Sequence, residues 1–95
     1  MGLLTTERGK EQVILATVPT ILRVGPYRFF FYSADSGEPP HVHVERERNR
    51  AKFWLEQVRM AENRGFNRAE SNRLRKLIEQ NRARFLEEWH AFFGN

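Results

Sequence analysis

The chain contains no cysteine, which excludes a disulfide framework and any zinc–thiolate site. A small domain without either prop must stand on its hydrophobic core, and the lack of thiols fits a reducing, cytoplasmic setting. Long apolar runs are missing too: none approaches the roughly 20 residues that span a bilayer, so no membrane association is expected. Glu7, Arg8, Lys10 and Glu11 interrupt the apolar stretches near the N-terminus, and no signal peptide is read there. There is no P-loop, no dinucleotide glycine fingerprint, no nucleophile elbow and no His-Glu-x-x-His. No cofactor is implied, and the sequence leaves open whether the protein is an enzyme at all.

What is present is 95 residues, 40% hydrophobic and 13% aromatic, with eight Phe and two Trp. That length makes one domain near the lower limit for folding alone. Large rings bury the most apolar area per residue and should dominate its core. The net charge is +4. Residues 1–44 hold four basic and four acidic side chains, so the excess lies wholly in the second half, interleaved with carboxylates. A phosphate-binding face needs basic groups clustered on one side, which composition alone does not establish.

Residues 1–18 show no clear pattern and read as an extension, either flexible or an edge strand. From Thr20 the chain turns β-like. Residues 20–24 are rich in branched side chains, Gly25-Pro26 is a turn signal, and residues 27–33 are continuous and aromatic. Phe29, Phe30 and Phe31 in succession put rings on both faces of the second strand. Residues 34–40 read as a polar loop, 41–46 as a third strand, and 51–57 as a fourth with Phe53 and Leu55 opposite Trp54. Connections this short require antiparallel pairing. Residues 58–66 read as an irregular lead into a helix. Asn67 with Glu70 has the spacing of a capping box. No Pro or Gly interrupts residues 68–93, and Gly94 is a stop signal. Leu74, Leu77, Ile78, Phe85, Trp89 and Phe92 share one helical stripe, with Lys76, Glu79, Ala83, Glu87 and His90 opposite. Asn81 breaks that stripe near its centre and Arg82 near its edge. Buried there, Asn81 must hydrogen-bond to the sheet or a loop, or mark a local opening. The fold expected is α+β: a four-stranded antiparallel sheet over about residues 20–57, with one long helix over about 68–93 packed on one face.

The run Pro39-Pro40-His41-Val42-His43-Val44 carries the most chemical information. Strand alternation puts His41 and His43 on one face, about 6–7 Å apart. Three readings follow. In one, His41 and His43 are catalytic, a general base and an acid or phosphate clamp acting on RNA. Arg46, Arg48, Arg50 and Lys52 then supply charge, and Trp54 a stacking platform for a base. In another, both histidines ligate a metal whose third ligand comes from elsewhere. Glu87-x-x-His90 has ligand-like spacing, but helical phase turns it away from the sheet unless the helix breaks near Asn81, so no residue is assigned as a metal ligand. In the plainest reading, the histidines are polar positions on the open face of a sheet.

The runs Pro19-Thr20-Ile21-Leu22-Arg23-Val24-Gly25-Pro26-Tyr27-Arg28-Phe29-Phe30-Phe31-Tyr32-Ser33, Glu38-Pro39-Pro40-His41-Val42-His43-Val44 and Ala51-Lys52-Phe53-Trp54-Leu55 resemble the uncharacterised bacterial family called domain of unknown function 4160. So do Asn63-Arg64-Gly65-Phe66 and Trp89-His90-Ala91-Phe92-Phe93-Gly94, which extends the resemblance over about residues 19–95. That span is expected to be a single domain. The resemblance implies gene pairs with another uncharacterised family, domain of unknown function 2442, arranged like toxin–antitoxin pairs. It therefore implies a protein partner encoded nearby. The family pattern matches His41 and His43 and accepts Asn at the position of His90, which argues against a role for His90. The leading expectation is a protein-interaction or regulatory module, with a homodimer through exposed β edges also consistent. The alternatives are an RNA-binding, ribonuclease-like protein and a metal-binding protein.

Overall fold

Five strands, rather than four, form the sheet in the computed structural model, which describes residues 20–94. The expected extension over residues 1–18 lies outside them. The strands are β1 (Thr20–Val24), β2 (Tyr27–Phe30), β3 (His41–Arg46), β4 (Asn49–Trp54) and β5 (Arg59–Arg64), paired antiparallel in chain order. The added strand β5 lies within the stretch expected to be irregular. Its sequence is polar, and an edge strand has one free side and little apolar demand, so it carries almost no periodic signal. A one-turn 3-10 helix, Ser33–Gly37, occupies the loop between β2 and β3.

The helical segment is also corrected, because it is two helices, α1 (Arg68–Gln80) and α2 (Arg82–Phe93). Asn81 leaves the helical backbone region at ψ 12°, and its side-chain Nδ2 donates to the Leu77 carbonyl at 2.8 Å. A short amide that satisfies a carbonyl of its own helix competes with the backbone ladder. Arg82 fixes the new direction by donating from Nε to the Leu55 carbonyl and from Nη2 to the Glu56 carbonyl at the end of β4. Asn67 caps α1 as expected, accepting from the Glu70 amide at 2.8 Å, and Gly94 closes α2 at φ 77°.

Residue alternation along the strands sorts the sheet into two faces. Tyr27, Phe29, Phe31, Val42, Val44 and Phe53 meet Leu74, Ile78, Phe85 and Trp89 of the helices in one core. Phe92, expected in the stripe, is 41% exposed, and Phe93 packs against Trp89 instead at 4.2 Å between ring centroids. The break at Asn81 changes the phase of the helix after it. On the core side Glu70 joins helix to sheet: it accepts from the Tyr27 hydroxyl at 2.6 Å and from Arg46 Nε and Nη2 at 2.7 and 3.0 Å. The Glu70 carboxylate thus serves the sheet and does not complete the reciprocal half of the expected capping box. Arg46 is chiefly responsible, with Tyr27, for holding the Glu70 carboxyl below its usual range.

Candidate functional site

His41 and His43 lie on the face away from the core, as strand alternation requires, yet neither is on an open surface. His41 is wholly buried and His43 is 9% exposed. His41 is covered by Trp54 and by the core residue Trp89 of α2, at ring-centroid distances of 5.6 and 5.1 Å. His43 lies between Phe30 and Tyr32, stacked on the first at 5.4 Å and edge-on to the second at 4.6 Å. Phe30 in turn is sealed by the Arg28 guanidinium, 4.3 Å above its ring. The second ring face anticipated on β2 is therefore closed by side chains of this chain.

The third member of the cluster is Asp35, in the 3-10 turn, only 8% exposed. Its Oδ2 accepts from the Tyr32 amide at 2.8 Å, which anchors the carboxylate over the strand face. The same oxygen stands 3.1 Å from Nε2 of His43 and 3.1 Å from Nε2 of His41. Burial opposes the charge on Asp35, but the hydrogen bonds from His43 and the Tyr32 amide work against it and the carboxyl is held below its usual range. Sequence reasoning passed Asp35 over as a loop residue. The available signal was an acid a few residues before a rigid Pro39-Pro40 step, too short a pattern to assign.

The two imidazoles are not equivalent. His43 Nε2 makes an aligned hydrogen bond with Asp35. His41 Nδ1 lies 2.9 Å from the Pro39 carbonyl, an oxygen that can only accept, so this nitrogen carries the proton. In the neutral ring, Nε2 then bears a lone pair. It is near Asp35 Oδ2 but misaligned, and it has no hydrogen-bond partner although it is fully buried. A bare acceptor facing a carboxylate is an electrostatic conflict that a cation between them would remove. Asp35, His41 and His43 offer three ligand atoms within 4.8 Å of one another. Donors about 2.1 Å from one ion stand about 3.0–3.4 Å apart at right and tetrahedral angles, which brackets the two 3.1 Å separations from Asp35; the separation between the two imidazole nitrogens is bounded only by 4.8 Å. A backbone carbonyl that fixes the far ring nitrogen is the usual support of a metal-binding histidine.

The remaining residues expected at the site divide. Arg50 and Lys52 share the histidine face: Arg50 bonds to the Tyr32 hydroxyl and Glu45, and Lys52 to Glu38 at 2.5 Å. That contact from Lys52 lowers the Glu38 carboxyl from its ordinary value. Lys52 also stands 4.7 Å above the Trp54 ring, so Trp54 has a cation on its face. Arg46 does not join them: it points to the core side and pairs with Glu70. Arg48 is exposed in the β3–β4 turn. Glu87 and His90 are exposed on α2, and even with the helix broken at Asn81 they are not part of the cluster. Beside His43 a cleft of about 190 Å³ opens between Tyr32, Arg50, Lys52, Glu62 and Arg64. No helix among the described residues is long and apolar enough to cross a membrane. Residues 27–90 match the family model described as Domain of unknown function (DUF4160). No curated protein and no solved structure matches the chain.

Proposed function

The chain belongs to the DUF4160 family, and on that footing we propose that it binds a divalent transition-metal ion through Asp35, His41 and His43. The observation that carries this reading is the buried, unpartnered Nε2 of His41, held by the Pro39 carbonyl in the tautomer that ligates. Two imidazoles and one carboxylate suit zinc and the ions near it in the first transition row, and leave further coordination positions for water or a ligand. As a general acid or base His41 has no exposed surface from which to meet a substrate proton. The ion, if bound, would supply a Lewis-acidic centre. The protein's part is to fix the rings: Pro39 sets the tautomer of His41, Trp54 and Trp89 exclude water from it, and the Tyr32 amide orients Asp35.

The test is metal content of the natively purified protein, followed by Co²⁺ titration monitored by visible absorption. One equivalent per chain is expected, with the spectrum lost in Asp35→Asn and His41→Ala and kept in His90→Ala. A chain that takes up neither Zn²⁺ nor Co²⁺ at micromolar concentration would overturn the reading, as would uptake indifferent to His41.

A second reading, docking of a partner protein or a second copy by strand addition, is supported by the sheet's two outer edges. Neither β1 nor β5 has a neighbouring strand on its far side among the described residues. Light scattering of the purified chain at micromolar concentration, alone and with the product of a neighbouring gene, decides it. A monomer that ignores that product counts against this reading.

A further inference from the structure

We infer that the cleft beside His43 takes a phosphate group, gripped by Arg50 and Arg64. These two residues are directly opposite each other in the β4–β5 pairing. Like charges placed so repel, and a sheet carries such a pair at a cost to its own stability. Carboxylates partly answer Arg50, through Glu45. The Arg64 side chain makes no ion pair or hydrogen bond among the described residues. An anion between the two guanidinium groups turns the repulsion into two charge-assisted contacts, the geometry that planar Arg groups serve best.

The surroundings suit an oxyanion. The cleft of about 190 Å³ has room for a phosphate group, and its lining carries three cations against one carboxylate. Tyr32, whose hydroxyl is already held by Arg50 at 2.6 Å, gives one wall a polar edge. Lys52 adds a third cation to the lining, although its ammonium is engaged by Glu38. Glu62 is the opposing charge in that lining and sets a limit on affinity. His43 borders the cleft as well as the Asp35 cluster. Where the metal reading above holds, His43 would be shared between the ion's ligand set and the wall of the cleft. The Arg50–Arg64 grip itself does not depend on that reading.

The phosphate could arrive free or within an RNA backbone, and the experiment separates these. The full chain, kept metal-free with a chelator, is titrated with inorganic phosphate and then with a short single-stranded oligoribonucleotide at low salt. Binding of either is expected to weaken roughly tenfold in Arg64→Ala. It should be unchanged in Lys76→Ala, which makes the same charge change on an exposed helical position, and stronger in Glu62→Gln. Phosphate alone in the cleft identifies a free anion as the ligand, and a tighter oligonucleotide identifies the backbone. No binding of either at millimolar concentration overturns the inference, as does equal weakening by Lys76→Ala, which would mean a diffuse charge effect. Zinc content of Arg64→Ala is measured in parallel. Loss of phosphate with zinc retained isolates the cleft, while loss of zinc in Asp35→Asn with phosphate retained refers only to the metal.

Discussion

Replacing Gly65 with alanine should destabilise the protein through two separable causes. Gly65 links β5 to α1 at φ 104°, and a Cβ there would lie 2.2 Å from Asn49 Oδ1 and 2.8 Å from its Cγ. A side chain held at that φ costs about 1–3 kcal/mol. The collision is cheaper, because Asn49 Cβ stands at a tolerable 3.4 Å and rotation of its amide relieves the rest. Moving that amide off its preferred rotamer costs about 0.5–1.5 kcal/mol. Loss of glycine's freedom in the unfolded chain returns about 0.4–1 kcal/mol. The net expectation for Gly65→Ala is a loss of about 1–3 kcal/mol, read by urea denaturation as a lowered midpoint at constant slope. In an Asn49→Ala background the collision disappears and the backbone cost remains. The cycle should therefore return a coupling of about 0.5–1.5 kcal/mol, with most of the loss persisting. A Gly65→Ala protein as stable as the parent refutes the argument from φ. A loss abolished entirely by Asn49→Ala shows that contact, not backbone, was limiting.

Acid should weaken the joint between α1 and the sheet. The Glu70 carboxyl is depressed in the folded state, so its stabilisation is present above the ordinary carboxylate range and is lost as pH falls through the folded value. Denaturation midpoints from neutral pH downward should fall more steeply for the parent than for Glu70→Gln, and parallel curves would contradict this. Arg82→Ala removes the donors to the Leu55 and Glu56 carbonyls and should cost about 1–2 kcal/mol, with faster amide exchange confined to α2. Uniform exchange across both helices would show that Arg82 does not anchor α2. Trp89→Ala empties a site that is 2% exposed and should cost about 3–5 kcal/mol. It should also open His41 to solvent, seen as alkylation by an imidazole-directed reagent. Continued protection of His41 would show that Trp54 alone covers it.

The sequence exposed some parts of this fold and hid others for identifiable reasons. Alternation placed both histidines on one face and Phe53 opposite Trp54, because strand geometry leaves no other choice. The cap at Asn67 and the stop at Gly94 were legible because each depends on one residue's local chemistry. β5 was not, since the only apolar residues of Arg59–Arg64 are Met60 and Ala61, adjacent rather than alternating, although Met60 packs against the core. The break at Asn81 showed as a polar residue in an apolar stripe, but its outcome depended on Leu55 and Glu56 carbonyls that only the folded chain brings to Arg82. Asp35 escaped for a similar reason. Its meeting with His41 and His43 is set by a 3-10 turn and a double proline, and no periodicity reports on either. Arg64 was hidden with the strand that carries it.

The order of the strands bears on how the molecule assembles. Each strand pairs with its neighbour in the chain, and the links at residues 25–26, 47–48 and 55–58 are short. Such hairpins zip quickly, since little loop entropy is lost before contacts form. The link over residues 31–40 is the longest in the sheet, and it is the one that brings Asp35 to the histidines. Closing that gap is the slowest ring closure within the meander, so the acid–imidazole cluster comes together only as β2 and β3 join.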